Sequence, residues 1–359
     1  IFTLYAGAEV SRVAVDSRLT NRADELTLRE WNIEGYTKLG FRLPKVSGFV
    51  GLRVAGEDRK GSLGSGLGDF FRSGTELLTS ASLRYAPARD HELSLTHSSS
   101  YTRPSYRDLL GYTSVASAAF RREGNSGLRT AYRRGLSLNY TYMHAAQLEL
   151  SYTDTEDPIV EAMPPMYGGG ITLRRYNLDY SRTLRALLVL PLPLVSQKKF
   201  SWLALTILAA QRQWDAGRIE TNDYSAALNT QFVQHRHSFS LPSDWTVDLG
   251  VTYYSGVLYE LYRIQRQWWV DASVSKRMGN LRATLSARDP FNTNIARGSY
   301  NPVVNGLAFE RNWHSPRLEL TISYSWGKKS VKAQDTHARY DDLKRLTTGA
   351  SEGMNTPAQ

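Results

Sequence analysis

The chain has 359 residues, a formal net charge of +10 (44 Lys+Arg against 34 Asp+Glu), no cysteine, and 21 Tyr and 8 Trp beside a mean hydropathy of −0.41. The absence of cysteine excludes disulfide scaffolds, cysteine zinc sites and thiol nucleophiles, and the length allows two ordinary cores or one large β architecture. The longest apolar runs, residues 186–195 and 203–210, are much shorter than the roughly 20 residues of a membrane-spanning helix, which excludes a helical membrane protein.

Alternation of apolar and polar residues predicts β-strands throughout the chain. The last example is the clearest, because Leu318, Leu320 and Ile322 alternate with Glu319 and Thr321. Successive side chains on a strand point to opposite faces, so each such segment has one apolar wall and one polar wall. In chain order, the segments are residues 31–39, 136–142, 148–152, 224–232, 245–253, 268–274, 281–288 and 317–326.

The links between these strands are predicted to alternate between short turns and long loops. The short turns fall near residues 43–45, 87–90, 144–146, 241–244 and 278–280, with a longer proline-rich one at 191–198. The long loops fall near residues 56–74, 101–127, 154–170, 215–222 and 292–312. This spacing predicts about 14 antiparallel strands over residues 1–327.

Short turns at one end and long loops at the other are typical of a transmembrane β-barrel of the outer membrane. Hydrocarbon offers no hydrogen-bond partner, so a sheet in lipid closes on itself with apolar side chains outward and polar ones toward a wet lumen. Aromatic residues near strand ends would form the interfacial girdles. These are Trp245, Tyr253, Tyr254, Tyr324 and Trp326. A soluble β-sandwich or β-repeat protein is the alternative, but its strands average only about 5–6 residues.

Two clusters contain residue types that bind metal ions. His235 and His237 share a strand face, but a site there needs a third ligand that the sequence does not identify, so polar lumen or rim residues are the favoured interpretation. Asp154, Glu156 and Asp157 offer the oxygen ligands that Ca²⁺ prefers, although a solvated loop base is favoured. We therefore predict no metal site, no cofactor and no catalytic residue, and we do not expect an enzyme.

The basic residues are spread over many strands instead of forming one dense block, which argues against nucleic acid as a partner. Three arginine pairs, at residues 121–122, 133–134 and 174–175, lie near boundaries between strands and loops. They could meet anionic lipid headgroups or an anionic ligand there, but ordinary solvated charge is the favoured interpretation.

Several short motifs resemble those of a known family. Residues 101–109 read Tyr-Thr-Arg-Pro-Ser-Tyr-Arg-Asp-Leu, and residues 124–128 read Gly-Asn-Ser-Gly-Leu. These segments resemble the "RPSY..L" and "GNP.L" elements of the outer membrane protein β-barrel family, the C-terminal barrel of many TonB-dependent receptor-like proteins of Gram-negative bacteria. The matching positions are Arg103, Pro104, Ser105, Tyr106, Leu109, Gly124 and Asn125.

Three further segments continue the resemblance in the same order. Residues 288–294 are similar to the family's "D.FNT" element, residues 322–329 to its closing "YxFGKK" strand, and residues 347–352 to its polar "TG.SEE" tail. Ser126 stands where the family usually has proline, and Trp326 where it has phenylalanine. The matching positions in the second half are Asp289, Phe291, Asn292, Tyr324 and Gly327.

The resemblance implies an outer-membrane receptor or transporter for TonB-dependent uptake of an unidentified solute. Residues 1–327 would be the C-terminal portion of a barrel of about 22 strands, and residues 328–359 a polar periplasmic tail. The implied partners are the lipid bilayer, a plug domain upstream, the TonB system and a possible surface lipoprotein, while the ligand-binding residues are unknown. The alternative is a passive or structural outer-membrane channel of about 14 strands.

Overall fold

The computed structural model describes residues 1–18, 25–63, 70–109, 113–117, 120–163, 171–300, 307–312 and 316–326. The predicted tail, residues 328–359, lies outside the described residues and stays a prediction. The elements in chain order are β1 (Phe2–Arg18), β2 (Glu25–Arg42), β3 (Val46–Leu63), β4 (Phe70–Ala88), β5 (His91–Thr102), α1 (Tyr106–Leu109), β6 (Thr113–Ser117), β7 (Phe120–Glu123), β8 (Ala131–Tyr142), β9 (Ala146–Glu156), β10 (Ile159–Ala162), β11 (Ile171–Asn177), β12 (Tyr180–Ser196), β13 (Ser201–Ile219), β14 (Asn222–Leu241), β15 (Trp245–Tyr254), β16 (Val257–Tyr259), β17 (Tyr262–Ile264), β18 (Gln267–Met278), β19 (Leu281–Arg288), β20 (Ile295–Tyr300), β21 (Ala308–Asn312) and β22 (Arg317–Tyr324).

Fourteen of these strands form one large sheet, as the sequence predicted. Its order is β1-β2-β3-β4-β5-β8-β9-β12-β13-β14-β15-β18-β19-β22, and each strand pairs antiparallel with the next. Strands β1 and β22 are its two ends, and within the described ranges no ladder joins them. The longest strand, β14, has 20 residues and so extends about 66 Å, more than enough to cross a bilayer when tilted.

The sheet has one apolar wall and one polar wall. Paired residues on neighbouring strands share a face, so the register assigns each side chain to a wall. Leu138 pairs with Leu95 and Leu150, and these three side chains are 38%, 42% and 47% exposed. The preceding residue, Ser137, pairs with Ser151 on the opposite wall. The predicted division into an apolar and a polar wall is thus confirmed for these strands. It is wrong for residues 224–232, because Leu228 of the predicted apolar set pairs with Gln213 on the lumenal wall.

Residues 56–74 were predicted as a long loop, but β3 continues to Leu63 and β4 begins at Phe70. Two further predicted links between strands are wrong. Residues 215–222 do not form a long loop, because β13 continues to Ile219 and only a two-residue turn separates it from β14. Residues 191–198 are mostly strand, and the turn between β12 and β13 lies at residues 197–200. Glycine and proline were the signals for these two loops, but backbone pairing with neighbouring strands overrides both.

The prolines of β12 lie where the strand has one neighbour only. The pairing of β12 with β9 ends at Val189, opposite Gln147, whereas its pairing with β13 continues past Pro191 and Pro193. Proline cannot donate a backbone hydrogen bond, and a strand accepts it where no partner needs that donor. The strand therefore continues through both prolines, with an irregularity in the register after Pro193.

The long connections carry a layer of their own over one end of the main sheet. Strands β10, β11, β7 and β6 form one small sheet, and β16, β17, β20 and β21 form another. A compact core of buried side chains joins them to the ends of β13 and β14. Its members are Val160, Ala162, Leu178, Ile219, Tyr224, Leu261 and Tyr300. In the described part of the chain, no helix has the length and apolar character needed to cross a membrane.

Gly217 permits close packing between β13 and the link that precedes β12. A Cβ atom at Gly217 would lie 2.5 Å from the amide nitrogen of Asp179 and 2.6 Å from Leu178 Cα. Since these neighbours are backbone atoms, we expect Gly217→Ala to lower the free energy of unfolding by about 1–3 kcal/mol. Urea unfolding in lipid vesicles measures this, with Gly35→Ala as the control because a Cβ there meets nothing within 4 Å. Equal stability of the two variants would contradict the prediction.

Aromatic side chains lie on the outward wall near the short-turn end. Trp245 is 41% exposed and lies beneath the Lys276 ammonium group, and Tyr324 and Trp326 are also exposed. Tyr254 was predicted to belong to this girdle, but the structure places it elsewhere. It lies one residue beyond Tyr253 and therefore faces the lumenal wall, where its ring packs on those of Phe232 and Trp269.

Candidate functional site

The segment that follows β5 crosses the lumenal wall near the long-connection end. Pro104, Tyr106 and Leu109 are buried, and Ser105 Oγ accepts a hydrogen bond from the Asp108 backbone N–H, which begins the short helix α1. The Ser105 hydroxyl also donates to Asp108 Oδ2 at 2.7 Å. The positions singled out by the resemblance thus fold this segment inward against β2 and β3.

A buried ionic cluster of Glu30, Glu57, Arg59 and Arg103 holds this segment to the wall. The Arg59 guanidinium lies 3.0 Å from Glu30 Oε2 and 2.9 Å from Glu57 Oε2. The Arg103 guanidinium lies 2.7 Å from Glu57 and 3.5 Å from Glu30. All four side chains are at most 7% exposed. Two carboxylates facing two guanidinium groups make the ionic cluster electrically neutral, which is the condition for keeping charges buried.

Neutral polar side chains complete the ionic cluster. The Tyr106 hydroxyl donates to Glu30 Oε2 at 2.5 Å, and Asn32 Nδ2 donates to Glu30 Oε1 at 2.7 Å. Arg103 in turn donates to Asn32 Oδ1. Glu30 therefore receives hydrogen bonds from two elements, its own strand and helix α1, and these link β2 to the segment that begins at Arg103.

Asp108 joins the first resembling segment to the second. Asn125 donates its backbone N–H to the Asp108 carbonyl oxygen at 2.5 Å, and its side chain donates to the Arg175 carbonyl at 2.8 Å. Gly124 precedes this contact and is half-buried. Leu128, three residues later, is fully buried. The two elements, about 20 residues apart in sequence, are thus one folded unit.

Arg175 lies among three carboxylates from different loops. Its guanidinium nitrogens are 3.4 Å from Asp108, 3.6 Å from Glu260 and 4.0 Å from Glu161. Burial raises the pKa of the Glu260 carboxyl, and the positive charge of Arg175 opposes that increase. Glu260 also accepts a hydrogen bond from the Glu161 backbone N–H at 2.9 Å. These contacts connect the two small sheets of the loop layer.

Asp289 organises the third resembling segment as a turn. Its Oδ1 accepts hydrogen bonds from the Thr293 backbone N–H and hydroxyl at 2.8 and 3.0 Å, and its Oδ2 accepts from the Asn294 N–H at 3.0 Å. Asn292 has a positive φ of 52°, a conformation that asparagine tolerates better than most residues. Phe291 is 67% exposed. This segment is therefore a side-chain-capped turn, while Gly327 lies outside the described residues.

His235 and His237 face the lipid side of the sheet, not the lumen as the favoured interpretation allowed. Trp202 Nε1 donates to His237 Nδ1 at 3.0 Å, the two Nε2 atoms are 3.0 Å apart, and His235 Nδ1 lies 2.8 Å from Thr206 Oγ1. Because an indole nitrogen only donates, the bonds are all satisfied when both imidazoles are neutral. Among the described residues, no third His, Cys, Asp or Glu joins them.

Each member of the acidic group at residues 154–157 pairs with an arginine. Asp154 lies 2.9 Å from Arg182, and Glu156 lies 3.1 Å from Arg134. Asp157 accepts from Arg129 at 2.5 Å. The carboxylates are thus neutralised by side chains, not arranged as one oxygen cage.

A polar cavity of about 610 Å³ opens on the lumenal wall across β5, β8, β9 and β12. Most of its lining residues carry hydroxyl groups. The other polar lining residues are Arg133, Glu149, Arg185 and Gln211. The serine and threonine residues are Thr96, Ser98, Ser100, Ser137, Ser151, Thr153, Thr155, Ser181 and Thr183. Such a wall is readily wetted, and within the described residues neither arginine forms an ion pair across it.

Several residues of the site were not identified from the sequence. Glu30 was recognised only as a polar-wall residue, and Glu57 and Arg59 were placed in the predicted loop at residues 56–74. The roles of Asp108 and Arg175 were not recognised. In the sequence, these residues are charged side chains near the long-loop end. Solvated lumenal residues have the same pattern, so the sequence does not distinguish the two. Only the strand register places Glu30 directly opposite Arg59.

Comparison with known proteins agrees with this architecture. Residues 9–324 match the outer membrane protein beta-barrel family. The chain is similar to the copper transporter OprC, with 11% identity and a TM-score of 0.58 over 89% of this chain and 56% of that one. It is also similar to the FrpB iron transporter from Neisseria meningitidis (F5-1 variant), with 12% identity and a TM-score of 0.54 over the same shares. No curated protein sequence matches it.

These likenesses establish the fold, and the chain spans little more than half the length of the two transporters. The family match covers most of the chain, since it begins in β1 and ends at the last residue of β22. It agrees with the fourteen-stranded sheet, the outward apolar wall and the resembling motifs of the loop layer. The chain therefore belongs to the outer membrane protein beta-barrel family and is an antiparallel β-barrel protein of the outer membrane.

Proposed function

We propose that this chain forms part of the barrel wall of a TonB-dependent transporter that takes up a solute across the outer membrane. The polar cavity on the lumenal wall, beneath a folded loop layer, carries this proposal. A solute path through a bilayer needs a wetted wall, and hydroxyl groups provide one without the strong binding that would trap a charged solute. Similarity to a copper transporter and an iron transporter supports a transport role.

In this mechanism, the loop layer selects the solute and the wall guides it. The ionic cluster and the Arg175 contacts hold the loop layer at a fixed position above the cavity. A plug domain upstream would close the lumen, TonB would act on it from the periplasm, and residues 328–359 would lie on that side. A lipoprotein could bind the loop layer from outside. The wall itself performs no chemistry in this proposal, and the transported solute is unidentified.

The alternative is a passive or structural channel of about 14 strands. The lumenal cavity taken alone fits this alternative equally well, because a passive pore also needs a wetted wall. The folded loop layer above the cavity and the similarity to two transporters favour the first function. The two functions differ in whether the lumen is closed at rest and whether TonB binds. Both properties can be measured without knowing the solute.

The test is conductance of the full native protein, extracted from outer membranes and inserted in a planar bilayer. A TonB-dependent transporter should show no steady conductance and should bind the purified periplasmic domain of TonB. A passive channel should conduct steadily at all times and should not bind TonB. Steady conductance of the native protein without TonB binding would overturn the proposal.

A further inference from the structure

The outward wall of the first strands changes abruptly from apolar to basic. On β2 the outward residues include Phe41, Leu39, Ile33 and Trp31, and the next outward residue is Arg29. The ten residue steps from Phe41 to Trp31 extend about 33 Å, which a tilted strand converts to the roughly 25 Å apolar band of an outer-membrane barrel. Arg29 therefore lies at the edge of the hydrocarbon, on the side of the long connections.

Two further cations lie at the same level of this wall. Arg12 is the next outward residue after Val10 on β1, and Lys60 lies on β3 directly opposite Arg29. All three side chains are exposed, and within the described ranges none forms an ion pair. Like charges directly opposite on neighbouring strands destabilise a sheet. The cost of this arrangement is removed when an anion lies between them.

Aromatic rings position two of these cations at the interface. The Arg12 guanidinium carbon lies 5.2 Å from the centroid of the Trp31 ring, and Lys60 Nζ lies 5.0 Å from that of Phe71. Trp31 and Phe71 are 47% and 64% exposed on the outward wall. Aromatic side chains beside cations are typical of the level at which a protein meets lipid headgroups.

Two other arginines of the same wall are already neutralised. Arg134 pairs with Glu156 and Arg182 with Asp154, at 3.1 and 2.9 Å. On β1 to β3, the acidic side chains of the outward wall near these cations are Asp58, which pairs in register with Trp31, and Asp16, which pairs with Thr27. Three cations and these two carboxylates leave a net charge of +1. Arg212 on the outward wall of β13 also has no ion pair within the described residues and lies over Trp214. The basic group on β1 to β3 differs from it because Arg29 and Lys60 lie directly opposite each other.

We propose that Arg12, Arg29 and Lys60 form a binding site for the phosphate groups of a lipid headgroup. The guanidinium groups donate paired hydrogen bonds to phosphate oxygens, and Lys60 adds a compact charge. With the long connections outside, these phosphates belong to a phosphorylated glycolipid of the outer leaflet. This site is on the lipid side of the wall and is independent of the proposed transport function.

The test is native mass spectrometry of the full protein in detergent, titrated with diphosphoryl lipid A. The variant Arg29→Ala/Lys60→Ala should bind it about 30-fold more weakly, since each of the two cations at an anionic headgroup contributes about a fivefold factor in affinity. Lys198→Ala/Lys199→Ala, in the turn between β12 and β13, removes the same charge from the opposite end and should bind like the native protein. Arg29→Gln/Lys60→Gln repeats the test with longer polar side chains.

Three outcomes would overturn the site. Lipid A freed of its phosphates could bind as well as the diphosphoryl form, or the control variant could lose as much affinity as the test variant. Inorganic phosphate in excess could also displace lipid A fully, which would identify a site for free phosphate and not for a lipid. A loss of lipid A affinity in both Arg29/Lys60 variants but not in the control supports the site. The unheated variants should migrate in gels like the unheated native protein, which shows that they are folded.

Discussion

Arg59→Met is expected to lower the free energy of unfolding by about 3–5 kcal/mol, because it leaves buried carboxylates without their full countercharge. Arg59 is completely buried, as is Glu30, and Glu57 is 3% exposed. After the substitution, both carboxylates share Arg103 alone. Unfolding in urea, followed by tryptophan fluorescence of the protein in lipid vesicles, measures the loss.

Two matched variants separate buried charge from other effects of this substitution. Arg53→Ala removes an arginine that pairs with Glu34 at a largely exposed position, and it should cost less than about 1 kcal/mol. The double variant Arg59→Met/Glu57→Gln leaves Glu30 opposite Arg103 and restores neutrality. It should recover a large part of the stability. If the double variant is no more stable than Arg59→Met, buried charge is not the cause.

Leu138→Arg is expected to destabilise the protein in a bilayer by about 2–4 kcal/mol, whereas Ser137→Arg should cost far less. Leu138 lies on the outward wall between Leu95 and Leu150, so the new charge would enter hydrocarbon. Ser137 lines the lumenal cavity, where water solvates an added guanidinium group.

Unfolding of both variants in vesicles provides the comparison. The same substitutions should differ less in detergent micelles, since water reaches a micelle-bound surface more easily. A similar loss for both variants in vesicles would show that the two walls do not face different solvents. That result would contradict the assignment of the outward wall to lipid.

The strands and the two walls could be predicted because their signal is local. Alternation along residues 281–288 defines β19 to the residue, and the alternation at residues 245–253 misses β15 by one. Turn positions were less predictable, as the strand through Pro191 and Pro193 shows. A proline ends a strand where the neighbouring strand would otherwise accept a hydrogen bond from the backbone N–H that proline lacks. The sequence alone does not show where that neighbouring strand ends.

The candidate site was predictable only in part, for a physical reason. The motif residues Arg103 and Tyr106 were identified by resemblance, but their partner Glu30 lies more than 70 residues earlier in the chain. A glutamate at inward parity is equally suited to water and to a buried arginine. The choice depends on four strands, β2 to β5, lying side by side, which no local pattern encodes.

The ionic cluster also has a consequence for how the strands find their alignment. In the native pairing, Glu30 lies opposite Arg59 and Glu34 lies opposite Ala55. If β3 slipped by two residues in one direction, Glu30 would lie opposite Glu57, and in the other direction Glu34 would lie opposite Glu57. A slip by one residue would turn all these charges toward lipid. Burial of charge in hydrocarbon therefore disfavours a shift by one residue, and repulsion between carboxylates disfavours a shift by two. The charges of β2 and β3 thus help to select the native register of these two strands.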